Sequence, residues 1–398
     1  MQPDERSLLA DEDLSIRRQF ESSEVEELLL AACGSGTDKR VSALYDRVGD
    51  RTAWEAACSH ELESHIGHKL LQCRGAAGVP EPWQAAHDRV AARIGFYMQL
   101  LDELASALDE RRIPVIALKN AGIARAFYPC VGCSPMGDLD VLVRRADFWK
   151  AHAVLLDLGY VCSTRSFYAA GNALPGGLEY KRETPEAGAV WLELQWRAVA
   201  GRWIQPSQEP DTDELMARSL PIAGSHVRLL SPEDNLLQVC LHTAKHSYLR
   251  APGLRLHTDV ERIVRGQSID WPLFLRRVSR LKVRTAVYFS LWLPAMLIGT
   301  PIPPEVLAEL KPRRAKRRRI VQHLLRAGFF YPNVDRKFTP LNYIFFCALL
   351  YDDAYSLLRA VIPDRQSMQQ SSGASGTLIL PYLYVRRLME LCFRRVSP

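Results

Sequence analysis

The spacing of apolar residues changes period along this chain, and each change marks a change of structure. Over residues 25–32, 41–47, 52–73 and 83–111 apolar side chains recur at i, i+3 and i+4, which predicts helices with one buried face. Gly34-Ser35-Gly36 and Gly78-Val79-Pro80 punctuate them. The glycine pair follows a helical run of leucines and alanines with no strand before it, so it predicts a helix-ending turn and not a phosphate loop. From residue 113 the pattern shortens. Residues 113–118 form an apolar run ending at Lys119, and 138–143 form another. Both predict strands, with a short helix over 121–128 between them. Residues 144–158 return to helical spacing through Phe148, Ala151, Val154, Leu155 and Leu158. Gly159-Tyr160-Val161 begins a further strand, and 190–196 alternates like one. At Ser231-Pro232-Glu233-Asp234 a strong helix start appears: serine at the cap, proline at the first position, acids in the first turn. The final helix falls over 377–393.

These elements predict an α+β fold, a small mixed sheet flanked by N-terminal and C-terminal helical regions. The expected divisions are a mobile acidic leader over 1–22, a helical region over 23–112, an α/β core over 113–230 and a helical domain over 231–398.

Chemistry concentrates at Gly137-Asp138-Leu139-Asp140. On a strand, residues i and i+2 face the same side, so Asp138 and Asp140 project together, at one edge of the sheet. Two carboxylates that close repel unless a cation lies between them, so neutralising either is expected to relieve strain. Mg2+ suits such oxygens and is usually shared with substrate phosphates. The pair therefore points to metal-assisted phosphoryl or nucleotidyl transfer. Glu193, in the middle of the 190–196 strand, has two readings that the sequence leaves open. It completes a metal-binding trio, or it faces solvent and pairs with an arginine such as Arg197.

The runs Ala117-Leu118-Lys119-Asn120-Ala121-Gly122, Ala126-Phe127-Tyr128-Pro129 and Pro135-Met136-Gly137-Asp138-Leu139-Asp140-Val141-Leu142-Val143 resemble the uncharacterised bacterial nucleotidyltransferases of the DNA polymerase beta superfamily. Leu192-Glu193-Leu194-Gln195-Trp196-Arg197 resembles their third acidic strand. The segment from Leu230 to Leu237, with His242, Lys245 and His246 after it, resembles their helical half. Trp54 and His60 fit their helical leader. The resemblance covers residues 25–265. It implies transfer of a nucleoside monophosphate from an NTP to a hydroxyl or phosphate, with Mg2+ or Mn2+ held by Asp138, Asp140 and Glu193. It also places Lys119, Asn120 and Gly137 beside the nucleotide, Lys119 neutralising phosphate charge and Glu193 positioning or deprotonating the acceptor.

Three positions depart from that pattern. Asn120 stands for a glycine that would let backbone approach a phosphate, Ser134 for an arginine, and Gln195 for a histidine. Asparagine tolerates left-handed backbone, so the loop is expected to persist. The departures motivate an alternative, a degenerate member that binds a nucleotide or partner without catalysis.

Composition adds little beyond this. Hydrophobic residues make up 47% and charged residues 24% of the 398, ordinary globular values. The net charge of +6 is compatible with phosphate-bearing partners. The densest basic run, Lys311-Pro312-Arg313-Arg314-Ala315-Lys316-Arg317-Arg318-Arg319, predicts a solvated helix start, with an RNA-binding or RNA-modifying surface as the less favoured alternative. Residues 1–14 lack the basic-then-apolar order of a signal peptide. The longest apolar runs, 286–299 and 343–350, fall short of the ~20 residues a membrane span needs. Nine cysteines without framework spacing suit a reducing cytoplasm. Cys130 and Cys133 are the only close pair, and with no second pair at zinc-site spacing they are expected to be plain loop cysteines. His242 and His246 share metal-ligand spacing, but Thr243 stands where the zinc-protease motif has glutamate, so substrate contact or packing is the expectation.

Overall fold

The computed structural model describes Ile16, Phe20 and residues 23–162, 176–199, 203–331, 339–362 and 379–393. All but two residues of the expected leader lie outside them, as do most of the residues over 168–177 and all of those over 369–376.

From residue 24 the described residues run through five helices: α1 (Glu24–Cys33), α2 (Asp38–Val48), α3 (Asp50–Ser59), α4 (Glu63–Arg74) and α5 (Glu81–Asp109). α1 begins where its sequence says it should. The Ser23 hydroxyl accepts from the Glu26 N–H while the Glu26 carboxylate accepts from the Ser23 N–H, satisfying two orphan donors. Gly34 ends it, and the Gly34 carbonyl is held by the buried ammonium of Lys69, 2.9 Å away.

A seven-stranded sheet follows, in the order β3-β4-β5-β2-β1-β7-β6. Its strands are β1 (Val115–Ala117), β2 (Asp138–Leu142), β3 (Val161–Cys162), β4 (Gly177–Thr184), β5 (Gly188–Gln195), β6 (Leu220–Pro221) and β7 (Val227–Leu229). β2 runs parallel to β5 and antiparallel to β1, so the sheet is mixed, as the α+β expectation required. The acidic pair was expected at a sheet edge. It stands instead on the middle strand of seven. β4 was not foreseen from the sequence; it pairs with β5 along its whole length and screens β5 from the edge.

The two faces of the sheet have separate cores. Leu139 and Val141 of β2, with Val190, Leu192 and Leu194 of β5, pack under Ile94, Leu101, Leu104 and Leu108 of α5 and under α7 (Phe148–Asp157). The strand period of two then turns Asp138, Asp140, Glu193 and Gln195 to the other face. That face meets α6 (Lys119–Ala126) and the C-terminal helices α9 (Pro232–Lys245) and α10 (Arg255–Gly266); the short α8 (Thr212–Arg218) precedes them.

The second core joins the two ends of the chain. Residues of α1–α4 share it with α9, α10, α11 (Trp271–Leu281), α12 (Arg284–Ile298), α13 (Pro304–Leu310) and α14 (Arg314–Ala327). Arg262 donates to the Ser35 hydroxyl at 2.6 Å, and the His60 ring lies 3.0 Å from the Phe330 carbonyl. α12 carries the apolar run at 286–299 and is buried on nearly every side. Among the described residues no helix is long and apolar enough to cross a membrane.

Candidate active site

The site is built by register. In the parallel ladder Asp140 lies opposite Glu193, and Asp138 opposite Trp191. One carboxylate oxygen from each of Asp138, Asp140 and Glu193 lies within 4.8 Å of the other two. Asp138 is exposed at the strand start, Glu193 is half-buried, and Asp140 is only 3% exposed. Glu193 therefore joins the aspartates, and Arg197, its alternative partner, pairs with Glu209 instead.

Lys119 reaches into this group from the first turn of α6. Its ammonium donates to Asp140 Oδ1 at 2.5 Å and stands 3.7 Å from Glu193 Oε2. Its own backbone is left-handed, with φ +47. Such a conformation costs about 1–2 kcal/mol for a residue with a Cβ, and it aims the side chain at the carboxylates. Asn120, expected to fill the left-handed position, is helical instead. Its amide lies between two side chains, and the orientation that satisfies both has it donating to Asp259 at 3.1 Å and accepting from Arg255 at 2.8 Å. Gly137 is exposed directly before Asp138, and a Cβ added there would meet nothing within 4 Å.

The remaining neighbours were only partly foreseen. The Gln195 amide donates to Asp140 Oδ1 at 2.8 Å, while its own oxygen is buried without a hydrogen-bond partner. Lys245, from the end of α9, is half-buried beside the trio and donates to the Val199 carbonyl at 3.2 Å. His242 lies one turn before it. Its ring is 4.6 Å from that of His246, and no third donor joins the two histidines among the described residues.

Electrostatics follow from burial and crowding. Burial raises the Asp140 carboxyl well above its usual range, and Asp138 and Glu193 reinforce this against the pull of Lys119. For Lys119, burial opposes the charge, but Asp140, Glu193 and Asp138 outweigh it and hold the ammonium above its ordinary pKa. Glu193 is also opposed by burial, yet Lys119 and Lys245 keep it below its usual value. Burial depresses Lys245, and Lys119 adds to the effect. The arrangement is a cluster of hard oxygen donors with a cation already drawn into it. That donor set fits a divalent ion of the Mg2+ type and is poor for a soft one.

A family model described as uncharacterised nucleotidyltransferase matches residues 47–299, more than half of the chain. The chain belongs to that family. No curated protein and no solved structure gives a match. The matched span runs from the end of α2 through α12 and contains all three carboxylates, Lys119 and Lys245. Membership makes nucleotidyl transfer the general chemistry of this nucleotidyltransferase domain, with an NTP as its substrate.

The basic run at 311–319 falls outside the match and does not form one solvated face. Arg313, Arg314, Arg318 and Arg319 are exposed. Arg317 is 2% exposed, donates to the Tyr288 hydroxyl at 3.0 Å and lies over the Trp292 ring, 4.9 Å from its centre. Lys316 donates to the Tyr351 carbonyl at 2.5 Å. The helical period carries these two inward, with Ile320 and Leu324.

Proposed function

We propose that this nucleotidyltransferase moves a nucleoside monophosphate from an NTP to a hydroxyl or phosphate acceptor, with Mg2+ or Mn2+ bound by Asp138, Asp140 and Glu193. The observation that carries the proposal is the convergence of these carboxylates and the Lys119 ammonium on one sheet face. When bound, the ion neutralises triphosphate charge and favours departure of pyrophosphate. Lys119 exchanges part of its contact with Asp140 for the phosphates and stabilises charge as it develops on the leaving group. Glu193, held ionised by Lys119 and Lys245, orients the acceptor hydroxyl and accepts its proton. Lys245 faces the same space from the helical side and binds phosphate oxygens. Open space around Gly137 leaves the approach to Asp138 clear for the nucleotide. The cytoplasm, where NTP is at hand, is the setting we propose.

One observation favours a second reading. The Lys119 ammonium already sits among the carboxylates at 2.5 Å, as a resident cation would, and Asn120 is engaged with Asp259 and Arg255. That arrangement suits a protein that binds nucleotide without turnover. The two readings separate in two steps. Mg2+ with an NTP should raise the melting temperature more than either alone, by about 2.7 kcal/mol of linkage at 100 times the dissociation constant. Labelled NTP, Mg2+ or Mn2+ and cell extract should then give a labelled acceptor. Stabilisation without label leaves the non-catalytic reading; no stabilisation by any NTP with either metal defeats both. The inward turn of Lys316 and Arg317 lends no support to an RNA-binding surface over 311–319.

A further inference from the structure

A second cluster lies apart from the carboxylates and has a different chemistry. Cys130 caps and Cys133 ends a single 3-10 turn, Val131–Cys133, on the segment that leads into β2. The sequence offered them no partners. The fold brings two histidines, His68 from α4 and His87 from α5. α4 and α5 meet closely beside these histidines because Gly67 has no side chain: a Cβ there would lie 2.5 Å from the Trp83 carbonyl oxygen. His87 is one helical turn beyond Trp83, so it arrives opposite His68. The two rings stack with centres 5.5 Å apart.

We propose that His68, His87, Cys130 and Cys133 form a tetrahedral zinc site. One ligand atom from each lies within 4.8 Å of all the others. Cys130 Sγ is 3.4 Å from His68 Nδ1, 3.3 Å from His87 Nε2 and 3.1 Å from Cys133 Sγ. Zinc bonds of about 2.3 Å to sulfur and 2.0–2.1 Å to nitrogen put tetrahedral neighbours roughly 3.3–3.8 Å apart, so Cys130 Sγ would draw back by about 0.2 Å from the two ring nitrogens and about 0.7 Å from Cys133 Sγ. Both cysteines are free, and 3.1 Å is far beyond a disulfide bond of about 2.05 Å. A thiol is a weak donor and a weak acceptor, and by itself does not account for three polar atoms converging on one sulfur. A shared ion does.

The surroundings are those of a built site. His87 Nδ1 faces Asp88 Oδ1 at 3.4 Å, the carboxylate support that leaves Nε2 free to ligate. Gly132 is required: a Cβ there would lie 2.6 Å from His87 Nε2. His65, one turn before His68 on α4, contacts the Cys133 carbonyl at 3.2 Å and fixes the turn from below. Two thiolates and two neutral imidazoles leave a zinc site electrically neutral. They are soft and borderline donors, so this site and the all-oxygen carboxylate cluster select different ions. The site is closed by four protein ligands, which is the structural kind. It staples the segment ending at Gly137 to α4 and α5, and so fixes where β2 begins.

The test uses the full chain grown in zinc-supplemented medium, purified under reducing conditions and dialysed without chelator. Metal analysis should find one zinc per chain. Replacing zinc with Co2+ should give visible ligand-field bands of a tetrahedral ion and a near-ultraviolet thiolate charge-transfer band. Cys130→Ser/Cys133→Ser should lose the zinc and the charge-transfer band, and His87→Ala should weaken retention at least tenfold. The cobalt spectrum of the unaltered chain keeps the proposal testable if the variants fail to fold. Reduced wild-type chain without zinc and without a cobalt spectrum overturns it. So does stoichiometric zinc that survives the double cysteine change, or a Cys130–Cys133 disulfide in place of the metal.

Discussion

Asp140→Asn and Asp138→Asn are the informative pair of substitutions, because the structure reverses part of what mutual repulsion predicts. From spacing alone, neutralising either aspartate should stabilise the metal-free protein. In the fold the two are not equivalent. Asp138 is exposed, whereas Asp140 is buried and holds the Lys119 ammonium at 2.5 Å. At an effective dielectric of about 20, that contact is worth roughly 7 kcal/mol of gross attraction, against about 4 for Glu193 at 3.7 Å. Much of the gross figure is offset by the desolvation of a buried carboxylate, which a neutral amide in the same place does not suffer. Breaking a buried pair from one side typically costs about 3–5 kcal/mol, but burial and its carboxylate neighbours already hold Asp140 above its usual range, a strain that Asn relieves, and the Glu193 contact survives, so the expectation falls below that range, to about 1–2. Asp138→Asn should leave stability unchanged within error. Urea unfolding followed by tryptophan fluorescence, in EDTA at pH 7 and low salt, measures both. Lys119→Met should cost a similar amount. Combining it with Asp140→Asn should cost less than the sum by at least about 1.5 kcal/mol, because the partners are in contact. Equal effects of the two aspartate changes, or a stabilised Asp140→Asn, would refute the assignment of Lys119 as the internal counter-ion. Under the proposed function both changes abolish transfer, so loss of activity without loss of stability at Asp138 marks it as a ligand.

Two further expectations concern the rest of the chain. Arg317→Gln should destabilise by about 2–3 kcal/mol, from the lost Tyr288 hydrogen bond and Trp292 stacking, whereas Arg318→Gln should be silent in the same melting assay; equal effects would show that Arg317 is not an anchor. Burial pulls His257 down to about 4, so the folded chain keeps it neutral where the unfolded chain takes up a proton near pH 6.5. Its contribution is fully present above pH 6.5 and falls away between there and about 4, by about 3 kcal/mol in total. His257→Gln should flatten the stability-against-pH slope over that window, and an unchanged slope would rule the residue out.

What the sequence disclosed was whatever a local period can encode. Strand alternation put Asp138 and Asp140 on one face, and the cap at Ser231 located the start of α9. Glu193 was visible as a candidate, but its membership depended on parallel register between strands far apart in the chain, which spacing does not contain. His68 and His87 carried no local signal, since they meet only where α4 crosses α5; the glycines at 67 and 132 were the marks they left. Arg317 was hidden for the opposite reason. A run of like charges suggests solvent, and only the helical period of that run, set against an aromatic face supplied by α12, separates Arg317 from its neighbours.

The core shared by the two ends of the chain has a consequence in time. Cys33 contacts the Leu254 carbonyl, Arg262 holds Ser35, and His60 lies against Phe330, separations of 221, 227 and 270 residues. On a ribosome adding about 5–20 residues per second, α1–α4 are complete roughly 10–50 seconds before the surfaces that cover them exist. For that interval Leu28, Leu29, Ile66 and Leu70, all buried at the end, face water or a chaperone. The N-terminal helices are therefore the part of this protein most exposed to misassembly during synthesis. A nascent chain stalled short of residue 254 should be far more protease-sensitive over 24–74 than the finished one.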